Sequence, residues 1–193
     1  MQNAISNNIT YLILAGGRGK RMHGVDKGLM QWQNRPMIEH VLEQLHAPAE
    51  KVIISANRNL QIYKQYANRV IEDSLNDFQG PLSGILSAMQ ACETDYLLCV
   101  PCDSPKPPAA MLEQLWENMQ SQHKTSALCH DGERLQPLFA LISCKHKKLL
   151  HDFIQQGHRK VHDFMQLIDP AICDFSTQKD CFNNFNQADD MQP

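Results

Sequence analysis

The fifteen residues from Leu14 to Gly28, LAGGRGKRMHGVDKG, concentrate the groups needed to hold a polyphosphate. Five are glycines (Gly16, Gly17, Gly19, Gly24, Gly28) and four are cations (Arg18, Lys20, Arg21, Lys27). Glycine lets a backbone turn sharply and approach a ligand, because no Cβ stands in the way. Successive N–H groups in such a turn form a concave anion site. Arg21 adds a planar fork for two phosphate oxygens, and Lys27 adds a mobile point charge. Of the two, Arg21 is the better group for stabilising charge that builds up on adjacent phosphates. The stretch is not a Walker loop. Gly19 and Gly24 have that spacing, but Val25 follows where Lys is required. Nor is it the dinucleotide fingerprint, since Met22 stands where the third glycine belongs.

A second chemical group stands far along the chain. Asp103 follows the apolar run Tyr96–Val100, where a fixed carboxylate can hold Mg²⁺ against phosphates. Magnesium takes one or two carboxylates and completes its shell with phosphate oxygens and water. Asp103-Ser104-Pro105 also fits a turn or a helix cap, the lesser of the two readings. Cys99 and Cys102 have C-x-x-C redox spacing. Cys99 lies inside the apolar run, however, and reads as a small buried core residue. The nine histidines show no H-x-x-H or H-E-x-x-H spacing, so no zinc site is indicated.

These groups need elements to carry them. Strand patterns cover Ile9–Leu14, Lys51–Ser55, Arg69–Glu72 and Tyr96–Val100. Helix patterns open at Pro36, a favoured first-turn position, and cover Leu60–Tyr66, Pro81–Ala91 and Pro108–Gln120. Tyr96–Val100 is continuously apolar, as a central parallel strand should be. This alternation predicts an α/β fold: an open, mostly parallel, mixed sheet flanked by helices, Rossmann-like in layout. Ligands in such folds bind outside the carboxyl ends of the strands. Those ends are the glycine loop, Ser55-Ala56-Asn57-Arg58, Glu72-Asp73-Ser74 and Pro101-Cys102-Asp103. All four put polar groups on one edge.

The second half has another character. Ser126–His130 and Leu135–Ile142 read as strands flanking an Asp131-Gly132 turn. Helices follow at Lys147–Gln156 and from near Arg159, with a late strand at Ala171–Phe175. No repeat, linker or low-complexity segment interrupts the chain. The expectation is one domain over 1–193, with a nucleotide-binding half (9–110) and an acceptor-binding half (111–187).

At 193 residues, with 42% hydrophobic and 20% charged residues, the chain is of ordinary globular composition. Net charge is −3, but Arg18 to Arg35 holds five cations against Asp26 alone, which leaves −7 elsewhere. That focuses an anionic ligand on one site and lacks the broad basic face of a nucleic-acid binder. There is no apolar run of 18 residues and no secretory pattern at MQNAISNN. Seven irregularly spaced cysteines fit reduced thiols. Together these predict a cytoplasmic protein with neither membrane nor nucleic acid as partner.

Leu14-Ala15-Gly16-Gly17, then Arg21-Met22, then Asp26-Lys27-Gly28 resembles the signature of molybdenum cofactor guanylyltransferases, within the nucleotidyltransferase superfamily. His23 replaces a usual glycine. Pro101-Cys102-Asp103-Ser104-Pro105 matches the family's P-C-D-x-P, and Gly80-Pro81-Leu82-Ser83-Gly84 its G-P-L-A/S-G. The resemblance spans about residues 9 to 187. It implies an Mg²⁺-dependent enzyme that transfers GMP from GTP to molybdopterin-type cofactor and releases pyrophosphate. Its partners would be GTP, the cofactor, and the proteins that carry and accept it.

Residue by residue, the resemblance places the base against Leu14, Ala15 and Gly16, with Gly17 in the same loop. The ends of strands two and three complete that pocket. Ser55 stands where the family often has asparagine, and Asn57 is the compensating neighbour. Asp73 matches a nucleotide-contacting aspartate, whose carboxylate would accept from guanine N1–H and N2–H₂. Gly80 and Pro81 offer a helix N-terminus to ribose or phosphate. Asp103 would bind the metal and the nucleotide. Gly157-His158-Arg159-Lys160 resembles G-x-R-R, which puts Arg159 at the acceptor phosphate. Asn184 and Asn186 match N-x-N, the second as a further metal or phosphate contact, although Gln187-Ala188 replaces the usual Thr-Pro. Two readings stand beside this one. The first is a cytidylyltransferase of the same cofactor or a sugar-phosphate nucleotidyltransferase. The second is a non-catalytic nucleotide-binding protein.

Overall fold

Apolar strands pair into a seven-stranded sheet in the computed structural model, which describes residues 7–16, 26–73 and 80–185. In chain order the elements begin with β1 (Ile9–Leu14), β2 (Gln31–Trp32), β3 (Arg35–Pro36), α1 (Met37–Leu45) and β4 (Val52–Ser55). Next come α2 (Leu60–Tyr63), β5 (Arg69–Ile71), α3 (Pro81–Ala91), β6 (Tyr96–Pro101) and α4 (Met111–Ser121). The last are β7 (Ala127–His130), β8 (Leu135–Ser143), α5 (Lys147–Gln155), α6 (Val161–Ile168) and β9 (Ala171–Asp174).

The sheet runs β5-β4-β1-β6-β8-β7-β9. All pairings are parallel except those of β8 with β6 and with β7. This is the mostly parallel, mixed α/β sheet that the alternation predicts. The chain leaves β1 toward β4 and β5, then returns to place β6 on β1's other side. That reversal opens a crevice at the carboxyl ends of β1, β4 and β6.

Side chains alternate across the strands with period two, so the sheet has two cores. Tyr11 and Ile13 join Ile38, Val41, Met111, Leu115 and Phe175 on one face. Leu12 joins Leu82, Ile85, Leu86, Phe153 and Phe164 on the other.

Several boundaries differ from the sequence reading. The helix expected over Pro108–Gln120 starts at Met111, because Ala110 takes a left-handed conformation (φ 52) just before it. The helix expected to Tyr66 ends at Tyr63, and the final helix starts at Val161. An unexpected hairpin, β2–β3, precedes α1. Gln33 and Asn34 turn it with positive φ (49 and 63), the backbone of a tight two-residue turn. Asp131 and Gly132 do lie in the β7–β8 turn. There Asp131 accepts from the backbone N–H groups of Glu133 and Arg134, both at 2.8 Å.

Candidate active site

The crevice is lined where the parallel strands stop. Beyond β1, Ala15 N–H donates to Ser55 O at 2.8 Å, and Ala56 N–H donates to Ile71 O at 2.9 Å. On β1's other side, Cys102 N–H donates to Leu14 O at 3.1 Å. The ladder therefore continues one residue past each strand, and the first loop residues hang from a fixed backbone.

Two polar clusters stand on this edge. In the first, Asn57 and Asp73 grip each other. Asn57 Nδ2 donates to Asp73 Oδ2 at 2.8 Å, and Asp73 N–H donates to Asn57 Oδ1 at 2.9 Å. Burial raises the Asp73 carboxyl above its ordinary value, against the opposing hydrogen bonds of Asn57 and Ser55. Ser55 lies beneath this pair, 1% exposed. A Cβ on Gly84 would lie 2.5 Å from Ser55 Oγ, and a Cβ on Gly16 would lie 3.3 Å from Asn57 Nδ2. Gly16 and Gly84 thus let the first loop and α3 close on the same side chains. Across the crevice, α3 is capped by Gly80 at φ +77, with Pro81 in its first turn.

The second cluster joins Asp26-Lys27-Gly28 to Asp103. Lys27 Nζ bonds Asp103 Oδ2 at 2.9 Å, with the lysine side chain 30% exposed and the aspartate 16%. Each residue around Lys27 has a structural reason. Asp26, 7% exposed, accepts from Tyr63 Oη at 2.5 Å and from Asn59 Nδ2 at 2.9 Å. Arg58 Nε stands 3.8 Å from the same carboxylate. A Cβ on Gly28 would lie 2.5 Å from Tyr63 Oη and 3.3 Å from Cys102 Sγ. The turn is therefore clamped on both sides of Lys27, and Tyr63 is held protonated by burial.

Asp103 is joined from the far end of the chain. Phe185 N–H donates to Asp103 O at 2.9 Å, and Ser104 Oγ donates to Asn184 Oδ1 at 3.0 Å. The Phe185 ring packs edge-on against Trp32 of the hairpin, centroids 5.5 Å apart. Lys106 Nζ lies 4.9 Å above the Trp32 ring.

The predicted site residues thus divide. Leu14, Ala15, Gly16, Lys27, Ser55, Asn57, Asp73, Gly80, Pro81, Asp103 and Asn184 lie on or next to the carboxyl edge. Arg159 sits in the α5–α6 connection, which the topology brings to the same edge, because α5 starts and α6 ends at the amino edge. Its guanidinium is turned to the end of α5, with Nη1 donating to Ile154 O at 2.6 Å and to His158 O at 2.7 Å. Gly17, Arg21 and Asn186 lie outside the described residues. Sequence reasoning missed the support for Lys27 provided by Asp26, Asn59 and Tyr63. The one available signal was the placement of Asp26 inside the D-K-G run.

Among the described residues, no group of three or more His, Cys, Asp or Glu side chains gathers to hold a metal. A hard cation that needs one or two carboxylates and takes its other ligands from phosphates and water fits Asp103, which is partly buried and beside a cation. The C-x-x-C cysteines do not form a redox pair. Cys99 packs in one core and Cys102 in the other, and burial raises both thiols.

A mostly parallel mixed sheet with a Lys27–Asp103 pair at its carboxyl edge defines the class as an α/β nucleotidyltransferase fold. Molybdopterin-guanine dinucleotide biosynthesis protein A from Archaeoglobus fulgidus superposes with TM-score 0.70 over 94% of each chain, at 20% identity. A nucleotidyl transferase from Methanothermobacter gives 0.70 over 95% of this chain and 94% of its own, at 18% identity. The chain belongs to the MobA-like NTP transferase domain family, whose model matches residues 11–170. It is 45% identical over 183 residues to the molybdenum cofactor guanylyltransferase of Mannheimia succiniciproducens, spanning 95% of this chain and 96% of that protein.

Proposed function

We propose that the chain transfers GMP from GTP to the phosphate of molybdopterin-type molybdenum cofactor, releasing pyrophosphate and forming the guanine dinucleotide. The relatives' names support the reaction. The observation that carries it to this chain is the Lys27–Asp103 pair, held across the mouth of β1 and β6.

Both substrates are anions, so catalysis asks mainly for alignment and compensating charge. Lys27 brings positive charge to the phosphates from a turn fixed by Asp26, Asn59 and Tyr63. Asp103 would hold Mg²⁺, which when bound neutralises phosphate charge and orients the α-phosphate. Arg21 supplies the second, forked cation. Asn57 and Asp73 face the base, and Ser55 supports Asp73 from below. Asp73 is already oriented by Asn57, so reading guanine N1–H and N2–H₂ costs little reordering. Gly80 and Pro81 present the N-terminus of α3 toward the ribose, with Leu14, Ala15, Gly16 and Gly17 beneath the nucleotide. Residues 111–187 form the acceptor side, where Arg159, Asn184 and Asn186 meet the pterin phosphate or the metal. The setting is cytoplasmic, in transient contact with cofactor-carrying and cofactor-accepting proteins.

The test is thermal stability with Mg²⁺ and GTP, CTP or UTP, followed by pyrophosphate release on adding molybdopterin. A ligand at 100 times its Kd stabilises by about 2.7 kcal/mol. A shift with GTP alone and GTP-dependent release support the proposal. A larger shift with CTP or UTP overturns the base assignment, and tight GTP binding without release overturns catalysis.

A further inference from the structure

Away from the nucleotide edge, two sulfurs meet. Cys92 Sγ lies 3.4 Å from Cys144 Sγ, although 52 positions separate them. Cys92 caps the C-terminus of α3, with its N–H on Ala88 O at 2.9 Å. Cys144 opens the turn that follows β8, and its N–H donates to Asp95 O at 2.7 Å. Both backbones are therefore held, and β6–β8 pairing at Tyr96↔Ser143 places them at the amino edge of the sheet. Both side chains are only partly buried, so a small reagent can reach them.

The remaining cysteines differ. Cys99, Cys102, Cys129 and Cys173 are buried, and desolvation raises their thiols. Half-buried Cys181 is raised as well, by burial and by Asp180. Cys92 alone is lowered, to about 7, chiefly by a hydrogen bond from Cys144 and with help from Thr94 against burial. The thiolate is the nucleophile, so the pair holds both an attacking and a resolving sulfur.

We propose that Cys92 and Cys144 form a redox-modification site: a dithiol that a peroxide converts to an intramolecular disulfide joining the end of α3 to the turn after β8. The Cys92 thiolate attacks one peroxide oxygen and breaks the O–O bond. It becomes a sulfenic acid and releases hydroxide. Cys144 then attacks that sulfur, its S–H proton leaves with the hydroxyl as water, and the Sγ–Sγ bond forms. The two electrons lost by the sulfurs reduce the peroxide. A small-molecule dithiol reverses the change and is itself oxidised. The bond needs the sulfurs to close from 3.4 Å to about 2.05 Å. Rotation of the two side chains would have to supply this.

The experiment treats the native, full-length chain with hydrogen peroxide, quenches with catalase, unfolds and alkylates with maleimide. Intact mass and peptide mapping read the result. The expected outcome is loss of two alkylatable thiols of the seven, a cross-linked Cys92–Cys144 peptide, and full recovery with dithiothreitol. Cys144→Ser should then leave a sulfenic acid at Cys92 that dimedone traps, and Cys92→Ser should leave Cys144 alkylatable. Seven intact thiols after peroxide would overturn the proposal. So would a cross-link to another cysteine, or direct passage of wild-type Cys92 to sulfinic acid. The wild-type measurement decides the matter even if either serine variant fails to fold.

Discussion

The ends of β1, β4, β5 and β6 differ in kind from the α5–α6 connection, although both serve the same edge of the sheet. At the strand ends the polar groups hold one another: Asn57 with Asp73, Lys27 with Asp103, and Asp26 with Tyr63 and Asn59. Each is positioned before any ligand arrives. In the connection Arg159 is turned to one carbonyl in the last turn of α5, that of Ile154, and to that of its neighbour His158, an arrangement that stops a helix end as well as it serves a ligand. Preorganisation therefore belongs to the nucleotide side, and acceptor binding would have to draw Arg159 away from a partner it already has.

The largest expected effect breaks the preorganised side. Asp103→Ala removes both the metal-type carboxylate and the partner of Lys27, and should lower transfer by roughly 10³-fold. Thermal unfolding without nucleotide should change little, because the pair is partly exposed. Near-normal turnover in this variant would remove the basis for the proposed chemistry.

Next in size is Asp26→Asn. The new amide turns a donor toward the Tyr63 or Asn59 donors in a buried place, which should destabilise the fold by about 1–3 kcal/mol in urea titration. Transfer should fall as well, since Lys27 loses the anchor beside it. Loss of stability with unchanged kcat would show that Lys27 needs no such clamp.

The smallest effect sharpens the contrast. Arg159→Ala should raise KM for the acceptor by less than about tenfold, and leave KM for GTP and kcat nearly unchanged. A large fall in kcat would place Arg159 among the preorganised groups after all.

The sheet was legible because parallel, doubly covered strands such as Tyr96–Val100 must be continuously apolar. Its ligand edge was legible because polar residues follow each run. The D-K-G and P-C-D runs named both partners of the Lys27–Asp103 pair, yet their meeting is a property of the β1–β6 pairing. The hairpin was not legible. Gln33 and Asn34 adopt positive φ without glycine, and a two-residue strand has no periodicity to read. The clamp on Asp26 also escaped, because its donors lie 33 and 37 positions away on and beside a single-turn helix. Pro107-Pro108-Ala109-Ala110 resembles a helix start, but the left-handed Ala110 delays α4.

Gly28 constrains how this chain can vary. The space where its Cβ would go is filled by the Tyr63 hydroxyl at 2.5 Å and bounded by Cys102 at 3.3 Å. Positions 28 and 63 are thus linked as a lock is to its key. A side chain can enter at 28 only in a lineage that has first given up the hydroxyl at 63 and found Asp26 another donor. Drift at position 28 must therefore pass through a residue 35 positions away, in a fixed order of substitutions.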